Sequence, residues 1–544
     1  MSINGLVKLS MVACVLSLSA CGGGGGGNST TSTPTPTPDP APTEPTWVAG
    51  QFEPEAEFFA QCEVPRTGID PFSGEAYPDQ QGSALEEKLF LRSWTNNTYL
   101  WYDEVDDNDP NNFTVDAYFA QLKTNALTPS GSSKDNFHFS QSTEEYNALA
   151  QTGVSSGYGF EWEFVSSAPP RELIVRYTEP NSPAALAGIP RGAKLISVDG
   201  IDFVNNNTQA GVDVINNGLF PSENGQTASL EFELLDGTEV AVDVTSADIE
   251  VSPVQNVAVI ESGGDRVGYF QFNTFIRTAQ SDLIDAFNLF VDENVSELVI
   301  DLRYNGGGLL ALASQVSYMV AGANQTNGMI FETLEFNDQH PTTNPVTGRT
   351  ISPTPFYDLE IDYDAGVFLN TRLPSPELTR VYVITTGGTC SASESVMNAL
   401  RGIDVEVVQI GTTTCGKPYG FYPTDNCGET YFTIQFQGIN EKGFGAYSDG
   451  FIPTASPNFD YELPGCVVAD DFTSALGDPS EGMLAAALEH ISSGTCPATI
   501  SATPTQPVAT SSTEGLISIT QPSELKRNIL LHNKILQPAI RQPE

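Results

Sequence analysis

The chain has 544 residues, a length that suits about three domains once unstructured ends are set aside. Its 68 acidic against 23 basic side chains leave a formal charge of −45, which excludes nucleic acid and anionic lipid surfaces as docking partners because both would repel it. Only 17% of residues are charged, so the surface is acidic and neutral-polar without being a polyelectrolyte.

Residues 1–20 carry one lysine, Lys8, then an apolar run over 11–18 and small residues up to Cys21, the pattern of an export signal that is removed from the mature chain. The ending Leu18-Ser19-Ala20-Cys21 resembles a bacterial lipoprotein box. That resemblance implies lipidation of Cys21 and a membrane anchor, whereas an ordinary secretory signal cut after Ala20 would leave Cys21 incidental. Six glycines and a Ser/Thr/Pro-rich run follow, so residues 21–50 are expected to form a tether. Gly22 is similar to an outer-membrane sorting signal. The expected location is the bacterial cell envelope, lipid-anchored at the outer membrane and facing the periplasm or the exterior.

Apart from Cys14 and Cys21, six cysteines remain: Cys62, Cys390, Cys415, Cys427, Cys466 and Cys496. An even number in an exported chain points to disulfides, and Cys415 and Cys427, which bracket Lys417, are expected to pair. No cysteine or histidine cluster has metal-ligand spacing, and the Asp/Asn-rich stretch 103–112 lacks the glycine and closing glutamate of a calcium loop. No metal and no cofactor is expected.

Residues 51–150 are expected to form a small helical domain. Ser83 and Glu86 make a capping box ahead of Leu85, Leu89 and Phe90, and Trp94, Tyr99, Trp101, Tyr118 and Phe119 supply its core. Over 151–252 short strands and turns follow. Gly157-Tyr158-Gly159-Phe160 precedes a Ser182-Pro183-Ala184 helix start and a Val198-Asp199-Gly200 turn, and this order resembles a PDZ domain. The resemblance implies that Gly157, Tyr158, Gly159 and Phe160 offer backbone N–H groups to a peptide's terminal carboxylate while the peptide adds a strand to the sheet edge.

From 253 to 496 strands and helices alternate, as in an α/β domain. A strand over 297–302 leads into Asp301-Leu302-Arg303-Tyr304-Asn305-Gly306-Gly307-Gly308, where glycines let backbone N–H groups face an anion ahead of a helix. A strand over 381–385, a corner holding Ser391, a helix, a strand over 405–410 and a loop carrying Lys417 come next. Ser391-Ala392-Ser393-Glu394 is itself a capping box, so Ser391 suits a helix cap as well as a nucleophile. Lysine is scarce here, and one set between Gly416 and Pro418 after an apolar strand is a candidate for burial. The tail 497–544 is Ser/Thr/Pro-rich and is expected to be disordered.

Taken together, the Asp-Leu-Arg-x-Asn-x-Gly-Gly block, the Ser-Ala-Ser-Glu corner and the later Gly-Lys loop, behind a PDZ-like segment, resemble the C-terminal processing (tail-specific) peptidases. The resemblance implies an α+β multidomain chain with a helical N-terminal domain, a PDZ-like β domain and an α/β peptidase core. It implies a serine endopeptidase acting on proteins or peptides with free C-termini, with Ser391 as nucleophile, Lys417 as general base, and the N–H groups of Gly307 and Ala392 as oxyanion hole. Ser393 is the alternative nucleophile. Two positions depart from the family: Phe421 stands where many members have a glutamine that orients the lysine, and Cys390 stands where a small residue is usual. The first departure admits a second reading, a peptide-binding module that has lost catalysis.

Overall fold

In the computed structural model, which describes residues 45–147, 154–221, 223–497 and 517–519, the expected capping box is present: Ser83 Oγ accepts the Glu86 N–H at 3.3 Å and opens helix α1 (Ala84–Thr98). The expected signal, Cys21, residues 22–44 and most of the tail lie outside the described residues. Leu89, Phe90 and Trp94 of α1 pack with Tyr118, Phe119 and, from far along the chain, Tyr431. The N-terminal part is therefore not a free-standing helical domain. Its strand β1 (Phe139–Ser142) pairs antiparallel with residues 429–432, and a disulfide joins Cys62 to Cys427.

The next module is an antiparallel sheet whose strands β2 (Phe160–Ser166), β3 (Glu172–Thr178), β4 (Lys194–Val198), β5 (Thr227–Glu233) and β6 (Glu239–Thr245) run in the order β6-β5-β4-β3-β2. Helix α2 (Gln209–Leu219), placed in the chain between β4 and β5, buries Val212 and Ile215 on Leu173, Val175, Leu195, Leu230 and Phe232. This module matches the PDZ-like β domain expected from the sequence, with β2 left as an edge strand.

Seven strands from the rest of the chain build one sheet, beside smaller two- to four-stranded ones: β7 (Val254–Ser262), β8 (Asp265–Phe272), β9 (Glu297–Asp301), β10 (Arg380–Thr385), β11 (Glu406–Gly411), β12 (Ile452–Thr454) and β13 (Glu462–Val467), in the order β7-β8-β9-β10-β11-β13-β12. All pairs are parallel except β7 with β8. A strand buried on both faces reads as a continuous apolar run, and β10 shows why. Val381 and Val383 face a core formed with helices α3 (Ala279–Asp292), α4 (Leu310–Thr326) and α5 (Ala392–Gly402), while Tyr382 and Ile384 face α6 (Gly482–Ser493). Each fully buried aliphatic side chain contributes about 1.5–3 kcal/mol, so the α/β/α sandwich is a rigid base for the loops at its edge. Among the described residues no helix is long and apolar enough to cross a membrane.

The disulfide pairing differs from expectation. Cys415 bonds to Cys390 and Cys427 to Cys62, with Cα–Cα separations of 5.3 and 5.4 Å, and Cys466 bonds to Cys496. Sequence proximity misleads here because Cys427 sits on a hairpin beside the N-terminal segment, where Ala60 N–H donates to Asn426 Oδ1 at 2.8 Å. Cys415 instead runs alongside residues 389–390, donating its N–H to Thr389 O at 3.0 Å. The tail also departs from the disorder expected of it at residues 517–519, which pack against the PDZ-like module.

Candidate active site

Three adjacent parallel strands, β9, β10 and β11, end on the same side of the sheet, and their C-terminal loops carry Gly307, Ser391 and Lys417. In open α/β sheets this is where ligand sites form.

Ser391 holds φ +53° and ψ −113°, a backbone conformation that costs a non-glycine residue about 1–3 kcal/mol and persists only where its surroundings enforce it. The surroundings do so from three sides. Cys390 N–H donates to Asn305 O at 3.0 Å, the Cys390–Cys415 disulfide fixes the preceding side chain, and Ser391 N–H donates to Glu394 Oε2 at 3.0 Å. Ser393, the alternative nucleophile, spends its hydroxyl on Asn305 O at 3.0 Å and is fully buried. Ala392 opens α5, where an N–H has no acceptor within the helix.

Glu394 is more than a cap. Its buried carboxylate accepts Thr414 Oγ1–H at 2.6 Å and Gly416 N–H at 2.9 Å on Oε1, and Ser391 N–H and Lys417 N–H at 3.0 and 2.8 Å on Oε2. The Ser391 and Lys417 amide nitrogens share one oxygen and so lie within about 6 Å of each other. Burial pushes the Glu394 carboxyl above its ordinary value, with these four donors opposing the rise.

Lys417 is 1% exposed. Gly416 precedes it at φ +82°, and a Cβ there would lie 2.4 Å from Ser448 O, so the turn that turns the lysine inward requires glycine. Its Nζ lies 4.1 Å from the Phe421 ring centroid and 4.7 Å from that of Phe137, and makes no hydrogen bond within the protein, to Ser391 or to any other described residue. Burial holds the amine well below the usual lysine range, partly offset by the carboxylates of Asp135 and Glu394. The Phe421 ring therefore desolvates Lys417 and offers it no hydrogen-bond acceptor.

The shield has a remote origin. Phe137 packs with Phe421, Tyr99 and Phe432, and Asp135, fully buried, accepts Tyr99 Oη–H at 2.7 Å and Phe137 N–H at 2.8 Å. These N-terminal residues reach the lysine because β1 pairs with residues 429–432.

On the glycine loop, Gly307 N–H is engaged by Asn305 Oδ1 at 2.8 Å, so this expected oxyanion donor is turned into its own loop. Gly308 lies at φ +138° with Phe275 O 2.4 Å from where a Cβ would stand. Below the loop, fully buried Arg303 bonds to Asp301 at 2.9 Å and to both oxygens of Glu481 at 2.8 and 2.9 Å. Tyr304 and Arg191 of the PDZ-like module meet at 2.6 Å and both bond to Asp470. The expected peptide-binding residues Gly157, Tyr158, Gly159 and Phe160 belong to that module, not to the parallel sheet. The carbonyls of Tyr158 and Gly159 accept the N–H groups of Ala184 and Glu179 at 2.8 and 2.9 Å. Cys21 lies outside the described residues.

Glu394 was visible in the sequence as a helix cap, but its hold on the lysine loop was not. Asp135, Phe137, Glu481 and Arg191 gave no local signal.

Residues 266–423, which contain all three loops, match the description "Peptidase family S41". A carboxyl-terminal-processing protease of Picosynechococcus is 29% identical over 177 residues, 32% of this chain and 41% of that protein. The chloroplastic carboxyl-terminal-processing peptidase 3 of Arabidopsis thaliana is 22% identical over 316 residues, 56% of this chain and 53% of that one. The chain thus spans about half the length, or less, of these relatives. A crystal structure described as a putative S41 protease from Bacteroides fragilis superposes with a TM-score of 0.53 at 23% identity, over 77% of this chain and 99% of that one, a likeness of fold.

Proposed function

We propose, from the peptidase family S41 domain that residues 266–423 carry, that this chain is a serine endopeptidase with Ser391 as nucleophile and Lys417 as general base. The observation that carries the reading is the shared carboxylate oxygen of Glu394, which holds a strained serine beside a desolvated lysine. A lysine titrating in its ordinary range, near 10.4, would be charged at neutral pH and unable to accept a proton. Burial among Phe137 and Phe421 favours the neutral amine.

Neutral Lys417 removes the Ser391 proton as Oγ bonds to the scissile carbonyl carbon, and the carbonyl π pair moves to oxygen. The oxyanion meets the Ala392 N–H at the start of α5, with Gly307 N–H joining once it exchanges Asn305 Oδ1 for the substrate. As the C–N bond breaks, the Lys417 ammonium protonates the leaving amine. Water, deprotonated by the same lysine, then adds to the acyl carbon, the C–Oγ bond breaks, and Lys417 returns that proton to Ser391 Oγ. Because Ser391 and Lys417 are not hydrogen-bonded to each other here, one side-chain rotation precedes the first transfer, a common property of sites without substrate.

The substrates we propose are proteins or peptides whose C-terminal tails are held by the Gly157–Phe160 loop and the β2 edge. The proposed setting is the outer membrane of a bacterial envelope, with lipid on Cys21. The test is an unstructured polypeptide ending in apolar residues, incubated with wild type, Ser391→Ala and Lys417→Ala. The wild type should produce fragments and both variants none. Cleavage by Ser391→Ala at the wild-type rate would exclude the dyad, and binding without cleavage by the wild type would leave a peptide-binding module.

A further inference from the structure

Arg171, on the turn between β2 and β3, is 2% exposed, and among the described residues its guanidinium hydrogen-bonds to no carboxylate. It is met by carbonyls instead. Nε donates to Ser167 O at 3.1 Å, Nη1 to Phe203 O and Asn206 O at 3.1 and 2.6 Å, and Nη2 to Ile517 O at 2.6 Å. The last carbonyl comes from the tail, 346 residues away in sequence.

The tail contributes more than that one oxygen. Ile517 N–H donates to Asn207 Oδ1 at 2.7 Å, and Ile519 N–H donates to Ser167 O at 3.0 Å. In an extended segment alternate side chains share a face. Here Ile519, 2% exposed, enters the core of the module and Ile517 packs beside it, while Ser518 points to solvent. The polar contacts use the backbone alone, so they select an extended peptide, and the apolar contacts select Ile at alternate positions. No terminal carboxylate takes part, since 25 residues follow Ile519. Ser167 also lies one strand length, about 20 Å at ~3.3 Å per residue, from the Gly157–Phe160 loop, so the two ends of β2 serve different ligands.

We propose that this end of the PDZ-like module is a second peptide site, one that takes an internal, extended Ile-x-Ile segment without a free C-terminus and is filled in cis by residues 517–519. The proposal does not depend on catalysis. A segment tethered in the same chain has an effective concentration on the order of millimolar, so a free peptide at micromolar concentration is excluded until the tail is released.

The test uses the full chain in a Ser391→Ala background, which protects the probe. The probe is a fluorescent peptide of residues 513–523 blocked at both ends, and binding is read by anisotropy. Ile519→Asp, and separately deletion of 517–519, should raise the affinity for this peptide at least tenfold over the unaltered tail. A peptide with aspartate at both isoleucines should not bind. Equal affinity with and without the tail change overturns the proposal, as does no binding to a variant with native circular dichroism. If both variants fail to fold, the segment is a structural part of the module, and the proposal is likewise overturned.

Discussion

Replacing Glu394 by glutamine keeps the shape of the clamp and removes its charge and one acceptor. The carboxylate serves four donors on two oxygens. Glutamine can accept on only one, and the arrangement that does least harm keeps Oε1 on the Ser391 and Lys417 amides and turns Nε2 toward Thr414 and Gly416. The Thr414 hydroxyl can rotate to accept from Nε2, but the Gly416 N–H cannot, and one buried unpaired N–H costs about 1–3 kcal/mol. The two amides that keep a partner exchange a charged acceptor for a neutral one, roughly halving each bond, so the total loss is about 2–4 kcal/mol. Urea unfolding should show the unfolding free energy fall by this amount, and the midpoint fall in proportion. Cleavage at 25 °C, where the variant is still folded, should fall further than the folded fraction, because Ser391 and Lys417 lose their common reference point. A variant with wild-type midpoint and wild-type rate would refute the clamp.

Lys417→Met should stabilise the chain at pH 7 while abolishing cleavage. Burial holds the folded amine well below its ordinary value, so between the folded value and about 10.4 the unfolded chain binds a proton that the folded chain does not, and wild-type stability rises with pH across that window. The variant's advantage in urea midpoint should shrink between pH 7 and pH 9.5, and a variant less stable than wild type at pH 7 would contradict the buried neutral amine. Phe137→Leu should admit water to Lys417 and raise its pKa. The acid limb of the kcat/KM profile then moves to higher pH, with activity recovering above it, and an unmoved limb would remove Phe137 from the lysine's shield.

Most of the parallel sheet was legible because its strands are continuous apolar runs: 297–302 and 381–385 fall within a residue of β9 and β10. The Ser391 corner and the glycine loop were legible because turns of that kind need particular residues. What sequence does not carry is long-range pairing. Cys427 faces Cys62 because a hairpin and β1 bring the N-terminal segment alongside, and Cys415 faces Cys390 because its loop runs beside residues 389–390. For the same reason the sequence does not show that Phe137 joins Phe421 against the lysine amine. Residues 517–519 were hidden by their polar, proline-rich surroundings, since three residues with two isoleucines give no periodic signal.

The dyad itself is tested most directly by trapping the acyl-enzyme. The chain is incubated with an activated acyl ester, acid-quenched, digested and analysed by mass spectrometry at several pH values. The acyl mass should appear on Ser391, be absent from Ser391→Ala, and form at a rate that rises with pH around a midpoint well below that of ordinary lysine, a dependence lost in Lys417→Ala. Acylation of Ser393, or acylation of Ser391 that is unchanged when Lys417 is replaced, would contradict the account.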